Sequence, residues 1–128
     1  MDSGALRRRM ALGLAVLAAS GLPALVSPGS AQAASAYCPG HEVRKLSFST
    51  GVVRVYKSRG YVCAVTFPKR EGHKRMSVSV QARGNRPVAD SGWFSHHAGP
   101  VKVHAGHRCV WVKGSVGGDS VSSGWILC

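Results

Sequence analysis

Acidic residues are scarce in this sequence, and the usual signatures of catalysis are missing. The 128 residues contain 5 Asp and Glu against 17 Lys and Arg, which gives a net charge of +12 with neutral histidines. With so few acids, paired carboxylates for glycosidic chemistry are nearly excluded. No serine occupies a G-x-S-x-G nucleophile elbow, and no two cysteines have the C-x-x-C spacing of zinc or redox sites. These absences favour a binding protein over an enzyme.

Apolar residues form a long run only near the N-terminus. Arg7-Arg8-Arg9 precede an uncharged run rich in Ala, Leu and Val from Met10 to Val26, which is typical of a signal peptide. Two cleavage patterns follow, Ala31-Gln32-Ala33 and Ala34-Ser35-Ala36, and we favour the first. An uncleaved membrane anchor is the alternative, although a proline shortens the run. We therefore expect a signal peptide over residues 1–33 and a secreted β domain over residues 34–128, with no membrane span after cleavage.

After the signal peptide, alternation of apolar and polar residues predicts β-strands, and no segment has a sustained helical period of 3.6 residues. From Arg75 to Ala82, apolar residues alternate with polar ones in the pattern of a half-solvated antiparallel strand. Turn residues recur about every eight to twelve positions, with short strands between them. We therefore predict an all-β fold, a small antiparallel β-sandwich or barrel of about seven or eight strands.

Further expectations concern particular segments and the tryptophans. Tyr61 to Phe67 is a predicted strand whose odd-numbered residues share one face, and we expect that face to point into the core. The segments Asp90 to Gly92 and Gly99-Pro100 contain residues typical of turns. After the second of these, Val101 to Ala105 alternates as a strand. At least two of the three tryptophans are expected to be core anchors.

Four cysteines in so short a secreted chain predict two disulfides, because a domain of this size has a thin core. Three pairings are possible. We favour the two that join neighbours in sequence, Cys38 with Cys63 and Cys109 with Cys128. By the chain-entropy model each bridge contributes roughly 3 kcal/mol to the free energy of unfolding.

Four of the six histidines lie between His96 and His107, and imidazoles are good zinc or copper ligands. His97, His104 and His107 are the candidate ligands, although only Asp90 supplies a carboxylate nearby. Surface histidines without a metal are the favoured interpretation. We therefore assign no metal and no cofactor.

The excess of positive charge favours anionic partners, and a surface that merely keeps the protein in solution is the alternative. Lys69, Arg70, Lys74 and Arg75 surround the most polar loop, and Lys102 lies on the outward side of its strand. These five residues are the candidate surface for an anionic ligand. Candidate partners are anionic polymers of a cell wall or spore surface. No nucleic-acid recognition fingerprint occurs, so nucleic acid is not the expected target.

The stretch from Asp90 to Trp111 also carries a family resemblance. The pattern D-S-G-W-F-x-x-x-A-G-P-V-x-V-x-A, closed by Cys109-Val110, resembles the spore-associated protein A family of filamentous actinomycetes. The likeness begins at Cys38-Pro39-Gly40, passes through the strand around Cys63 and ends at Cys128. The resemblance implies a small secreted protein found with spores or aerial growth, and it implies no particular reaction.

These observations favour a secreted, non-enzymatic protein that associates with the spore or cell surface through its basic face. A small secreted hydrolase or nuclease is the first alternative, in which Glu71, Arg70 and one histidine would flank a phosphate. A secreted enzyme inhibitor is the second alternative. It requires one rigid exposed loop, and the sequence does not single one out.

Overall fold

A computed structural model describes residues 37–128, and the expected signal peptide and both cleavage patterns lie outside them. The described residues form eight strands, so the predicted all-β fold is confirmed. Within this part of the chain no helix is long and apolar enough to cross a membrane. The strands are β1 (His41–Phe48), β2 (Gly51–Ser58), β3 (Tyr61–Pro68), β4 (Lys74–Ala82), β5 (Val88–Phe94), β6 (Ala98–His104), β7 (Val110–Val116) and β8 (Asp119–Ile126).

The strands form two four-stranded antiparallel sheets that pack face to face. Sheet A has the order β1-β2-β3-β6, and sheet B has the order β5-β4-β7-β8. A two-residue turn, Arg59-Gly60, joins β2 to β3, and both of its residues have positive φ. Such turns match the twist of the paired strands, and glycine adopts a positive φ without a steric penalty. The chain crosses between the sheets after β3, β5 and β6.

The core between the sheets is built largely from valine and alanine. In β4 the predicted inward residues, from Met76 to Ala82, are all buried. On β7, Gly114 lies where side chains of sheet A approach the backbone closely. A Cβ there would overlap Val53 Cγ2 and would lie 2.6 Å from Thr66 Oγ1. The two sheets can therefore reach this separation only with glycine at position 114.

β3 is buried on both of its faces. Its even-numbered residues, among them Val62 and Ala64, pack in the main core. Cys63, Val65 and Phe67 instead pack with Cys38 and Tyr56 in a second cluster on the outer side of sheet A. The expectation that Cys63 lies in a core beside Val65 and Phe67 is therefore confirmed, but this core is a second cluster, which the segment before β1 covers from outside. Tyr61, at the start of the same face, is exposed.

Both predicted disulfides are present, Cys38–Cys63 and Cys109–Cys128, and no described cysteine is free. The first ties the segment before β1 onto the outer face of β3. The second joins the residue before β7 to the residue at the end of the chain, beyond β8. Two disulfides are consistent with an oxidising, extracellular environment.

Both predicted turns in the central stretch are wrong, because strand pairing prevails over local turn preference. Asp90 to Gly92 lies inside β5 and pairs with β4 from Met76 to Val78. Gly99-Pro100 lies inside β6, beside a register irregularity in its pairing with β3. β6 is an edge strand, where the N–H that proline lacks is not required by a neighbour.

The expectation that two or more tryptophans anchor the core is also wrong. Trp93 is 59% exposed and Trp125 is 36% exposed, and Trp111 is half-buried. None belongs to either buried cluster. All three lie on the outer face of sheet B, because valine and alanine side chains already fill the narrow space between the sheets.

We predict that Gly114→Ala lowers the free energy of unfolding by about 2 kcal/mol, since the added methyl group overpacks a full core. Gly118→Ala in the following turn is the matched control. A Cβ at that position has nothing within 4 Å, so the stability should change little. Denaturant unfolding of both variants checks this. Equal stabilities would show that the sheets do not meet as closely as described.

We also predict that loss of Cys38–Cys63 costs more than loss of Cys109–Cys128. The bridges have similar sequence separations, 25 and 19 residues, so the chain-entropy model assigns roughly 3 kcal/mol to each. Only the first also holds the segment before β1 against β3, where that segment covers the second cluster. The double variant Cys38→Ala/Cys63→Ala should therefore unfold at a lower denaturant concentration than Cys109→Ala/Cys128→Ala. The reverse order would contradict a stabilising role of the second cluster.

Candidate anion-binding pocket

Three connections meet at one end of the sandwich. The backbone N–H of Lys69, just after β3, donates to the carbonyl of Thr50 in the β1–β2 turn at 2.9 Å. Thr50 Oγ1 donates to the carbonyl of Val116 at 2.7 Å, and Ser49 Oγ donates to Asp119 Oδ2 at 2.5 Å. The β1–β2 turn is thus tied to the β3–β4 loop on one side and to the β7–β8 turn on the other.

A cavity of about 290 Å³ lies between these connections. Its lining residues are Ser49, Thr50, Lys69, Arg70 and Lys74, so three cations and two hydroxyl-bearing residues surround it. Lys74 Nζ donates to the carbonyl of Arg70 at 2.5 Å, which holds the ammonium group at the wall of the cavity. The volume is at the lower limit for ligand pockets, so it suits one small group better than a whole drug-sized molecule.

The charge of this pocket has one sign. No carboxylate lines it, and the acid nearest in the described contacts, Asp119, already accepts a hydrogen bond from Ser49. Glu71 lies in the same loop as Arg70, and its Oε2 is 3.9 Å from Nδ1 of His96. An anionic group such as phosphate or carboxylate would therefore be attracted mainly by the three cations, because the hydroxyl hydrogens of Ser49 and Thr50 are already donated to Asp119 and to the Val116 carbonyl.

The structure divides the five residues of the predicted anionic-ligand surface among three places. Lys69, Arg70 and Lys74 come together in the pocket. Arg75 pairs with Trp93 on the outer face of sheet B. Lys102 lies on the outer face of sheet A, where its Nζ is 5.5 Å from the centre of the Tyr61 ring. Lys102 pairs with Cys63 on the neighbouring strand. Cys63 lies six residues before Lys69, so Lys102 and Lys69 are separated by roughly 20 Å along β3.

Sequence reasoning missed the two hydroxyl-bearing residues of the pocket. Ser49 and Thr50 read as an ordinary turn before Gly51, and nothing local connects them to a loop about twenty residues later. Their position follows from the β2–β3 hairpin, which brings the start of β2 next to the end of β3, with Gly51 opposite Pro68. Their place in the pocket therefore depends on strand pairing, which their residue types do not indicate.

The candidate metal ligands lie in three separate places: His97 just before β6, His104 at the end of β6 and His107 in the β6–β7 turn. His97 packs against Tyr37 with ring centroids 4.4 Å apart and an interplanar angle of 43°, and its Nδ1 is 3.0 Å from the carbonyl of Gly99. His104 packs edge-on against Tyr61 at 4.9 Å, and His107 is exposed in the β6–β7 turn. No three His, Cys, Asp or Glu residues between positions 37 and 128 are grouped closely enough to hold a metal ion.

The residues of the hydrolase alternative include one close pair. Glu71 and His96 approach to 3.9 Å, but their side chains are 82% and 72% exposed. General acid–base catalysis needs an acid and a base that are held in a fixed position against the substrate, and water surrounds both of these side chains. The pair therefore has the residue types of a nuclease site without the enclosure that such chemistry requires.

Comparisons of the chain with protein-family models, with curated proteins and with solved structures found no match. The resemblance to the spore-associated protein A family therefore stays a prediction. The pocket and the fold have to be interpreted from their own geometry.

The pocket geometry predicts binding of inorganic phosphate. In an NMR titration, the amide signals of Thr50 and Lys69 should shift with phosphate, and the shifts should shrink strongly in molar salt because screening weakens exposed charges. Lys69→Ala should weaken the apparent affinity several-fold. Lys102→Ala, an equal loss of charge at a position roughly 20 Å along β3 from Lys69, is the control and should change nothing. Equal effects of the two substitutions would indicate a diffuse field instead of a pocket.

Proposed function

We propose that this is a secreted, non-enzymatic protein that attaches to anionic polymers of a spore or cell surface. The observation that carries the proposal is the basic pocket of Ser49, Thr50, Lys69, Arg70 and Lys74, which contains three cations and no acid. Its small volume suits one charged group of a repeating polymer. A polymer presents such groups at high local concentration, so a weak single contact still gives useful retention.

The wider charge distribution supports the same proposal. The chain has 17 Lys and Arg against 5 Asp and Glu, and most described cations are exposed. A field of one sign attracts a polyanion over about a Debye length and raises the rate of encounter. The pocket then supplies the directional contact that the general field lacks.

Secretion is supported by two independent features. The N-terminal sequence has the charge, apolar run and cleavage patterns of a signal peptide. The two disulfides are stable in an oxidising environment and rare in a reducing one. The spore surface is proposed as the site of attachment because of the resemblance carried by Asp90 to Cys109.

The proposal predicts salt-dependent retention on isolated cell or spore walls. The protein should bind at low salt and elute steeply as the salt approaches molar concentration. The triple variant Lys69→Ala/Arg70→Ala/Lys74→Ala should elute at clearly lower salt than the native protein. Retention is measured by pelleting the walls and quantifying the protein left in solution.

A matched triple variant separates the pocket from the overall charge. Arg44→Ala/Lys45→Ala/Arg86→Ala also removes three exposed cations, none of which lines the pocket. It should elute close to the native protein. Retention that persists in molar salt, or that both triple variants weaken equally, contradicts attachment through the pocket.

A further inference from the structure

The outer face of sheet B gathers all three tryptophans of the chain. Strand register places its outward residues in four rows that run across β5, β4, β7 and β8. We call this surface the tryptophan face. Its rows, in order along β4, are Arg75 with Trp93; Ser91, Ser77, Ser115 and Ser120; Ala89, Ser79, Lys113 and Ser122; and Gln81, Trp111 and Trp125.

The aromatic rings stand at opposite corners of the tryptophan face. Trp93 stacks with His73 at a centroid distance of 5.7 Å and an interplanar angle of 21°. Trp111 and Trp125 meet edge to face at 5.3 Å, and the Arg83 guanidinium lies 5.2 Å from the Trp125 ring centre. The first and last rows are six residues apart on β4, which is roughly 20 Å.

Folding does not account for the position of the Trp93 ring. A tryptophan stabilises a fold mainly through the apolar area that it removes from water, and Trp93 keeps 59% of its surface in solvent. A serine or threonine would satisfy the strand at this position equally well. Exposed indoles gathered on one face are instead typical of surfaces that bind a ligand.

The space between the rings is lined by hydroxyl groups. Six serines occupy the two middle rows, and two of them, Ser77 and Ser115, are bonded to each other at 2.6 Å between their Oγ atoms. Ser122 Oγ accepts a hydrogen bond from Trp111 Nε1 at 2.7 Å, so that its position is fixed too. A serine hydroxyl both donates and accepts, which matches a ligand that is itself covered with hydroxyls.

The charges of the tryptophan face are all positive. Arg75 and Lys113 are exposed within it, and Arg83 borders it. The four described acids lie elsewhere. Glu42 pairs with Arg54 on sheet A, Glu71 lies in the β3–β4 loop, Asp90 Oδ2 accepts from the N–H of Gly99, and Asp119 accepts from Ser49. A negatively charged ligand on this face would thus be attracted by the cations, and no carboxylate of the face would repel it.

From this arrangement we propose that the tryptophan face binds an extended polysaccharide that carries carboxylate groups. Sugar rings present C–H faces that pack on indoles, hydroxyls that pair with serines, and carboxylates that pair with Arg75 and Lys113. A single-stranded nucleic acid needs cations along its whole backbone, and the face has only two. A protein partner would bury an apolar centre, whereas here the centre is serine. This surface is separate from the basic pocket, and the proposal stands even if the pocket binds nothing.

The tryptophans themselves report on the test. Since all three lie on this face, tryptophan fluorescence and the three indole N–H signals in NMR observe the proposed site directly. We expect a galacturonate hexamer to change both signals saturably. Trp93→Ala should weaken its affinity about tenfold without loss of folding, because the ring is mostly in solvent. Arg75→Ala/Lys113→Ala should weaken binding of the galacturonate hexamer and leave binding of the uncharged cellohexaose unchanged.

Two control variants distinguish this site from others. Tyr61→Ala removes an exposed aromatic ring from sheet A and should leave binding unchanged. Lys69→Ala/Arg70→Ala/Lys74→Ala removes the pocket and should leave the indole response intact, so failure of the pocket and failure of this proposal are told apart. Absence of any response to the galacturonate hexamer would overturn the proposal. So would equal affinity for cellohexaose, or tighter binding of a thymidine oligonucleotide.

Discussion

The close approach of the two sheets determines how the rest of the molecule is arranged. Val53 and Thr66 of sheet A pack onto a position of sheet B that has room only for Gly114. A space this narrow accommodates valine, alanine and a single methionine, and it leaves no room for an indole. The tryptophans are therefore outside the core. The same thinness explains why the chain uses two disulfides, since a core of small side chains buries little apolar area per residue.

A consequence is that the molecule has two outer faces of different character. On sheet A the first disulfide brings Cys38 over Cys63, Val65 and Phe67, so the part of this face on β3 is closed by the chain itself. There burial raises the pKa of the Tyr56 phenol, and the Glu42 carboxylate raises it further, against a smaller opposite effect of Arg54. On sheet B no described segment covers the tryptophans and serines. The covered face adds stability, and the open face and the adjoining basic pocket remain available to ligands.

The strands and disulfides could be predicted from the sequence because both depend on local patterns. The predicted alternation in β4 is present in the structure, and each disulfide joins cysteines that are neighbours among the four in sequence. Three features depend on which segment lies beside which, and these were not predictable. Asp90 to Gly92 became a strand because β4 lies next to it. The odd-numbered face of β3 was covered from outside. Lys102 was separated from Lys69 because the cations project from different elements.

The central claim, that small residues fill the core and leave the indoles in water, is tested most directly by acrylamide quenching of tryptophan fluorescence. The emission of the native protein should be readily quenched, and unfolding in denaturant should change its wavelength and its quenching only modestly, with Trp111 accounting for most of that change. A native emission that is shifted to the blue, protected from acrylamide and released only on unfolding would contradict the account, because it would place the tryptophans in the core.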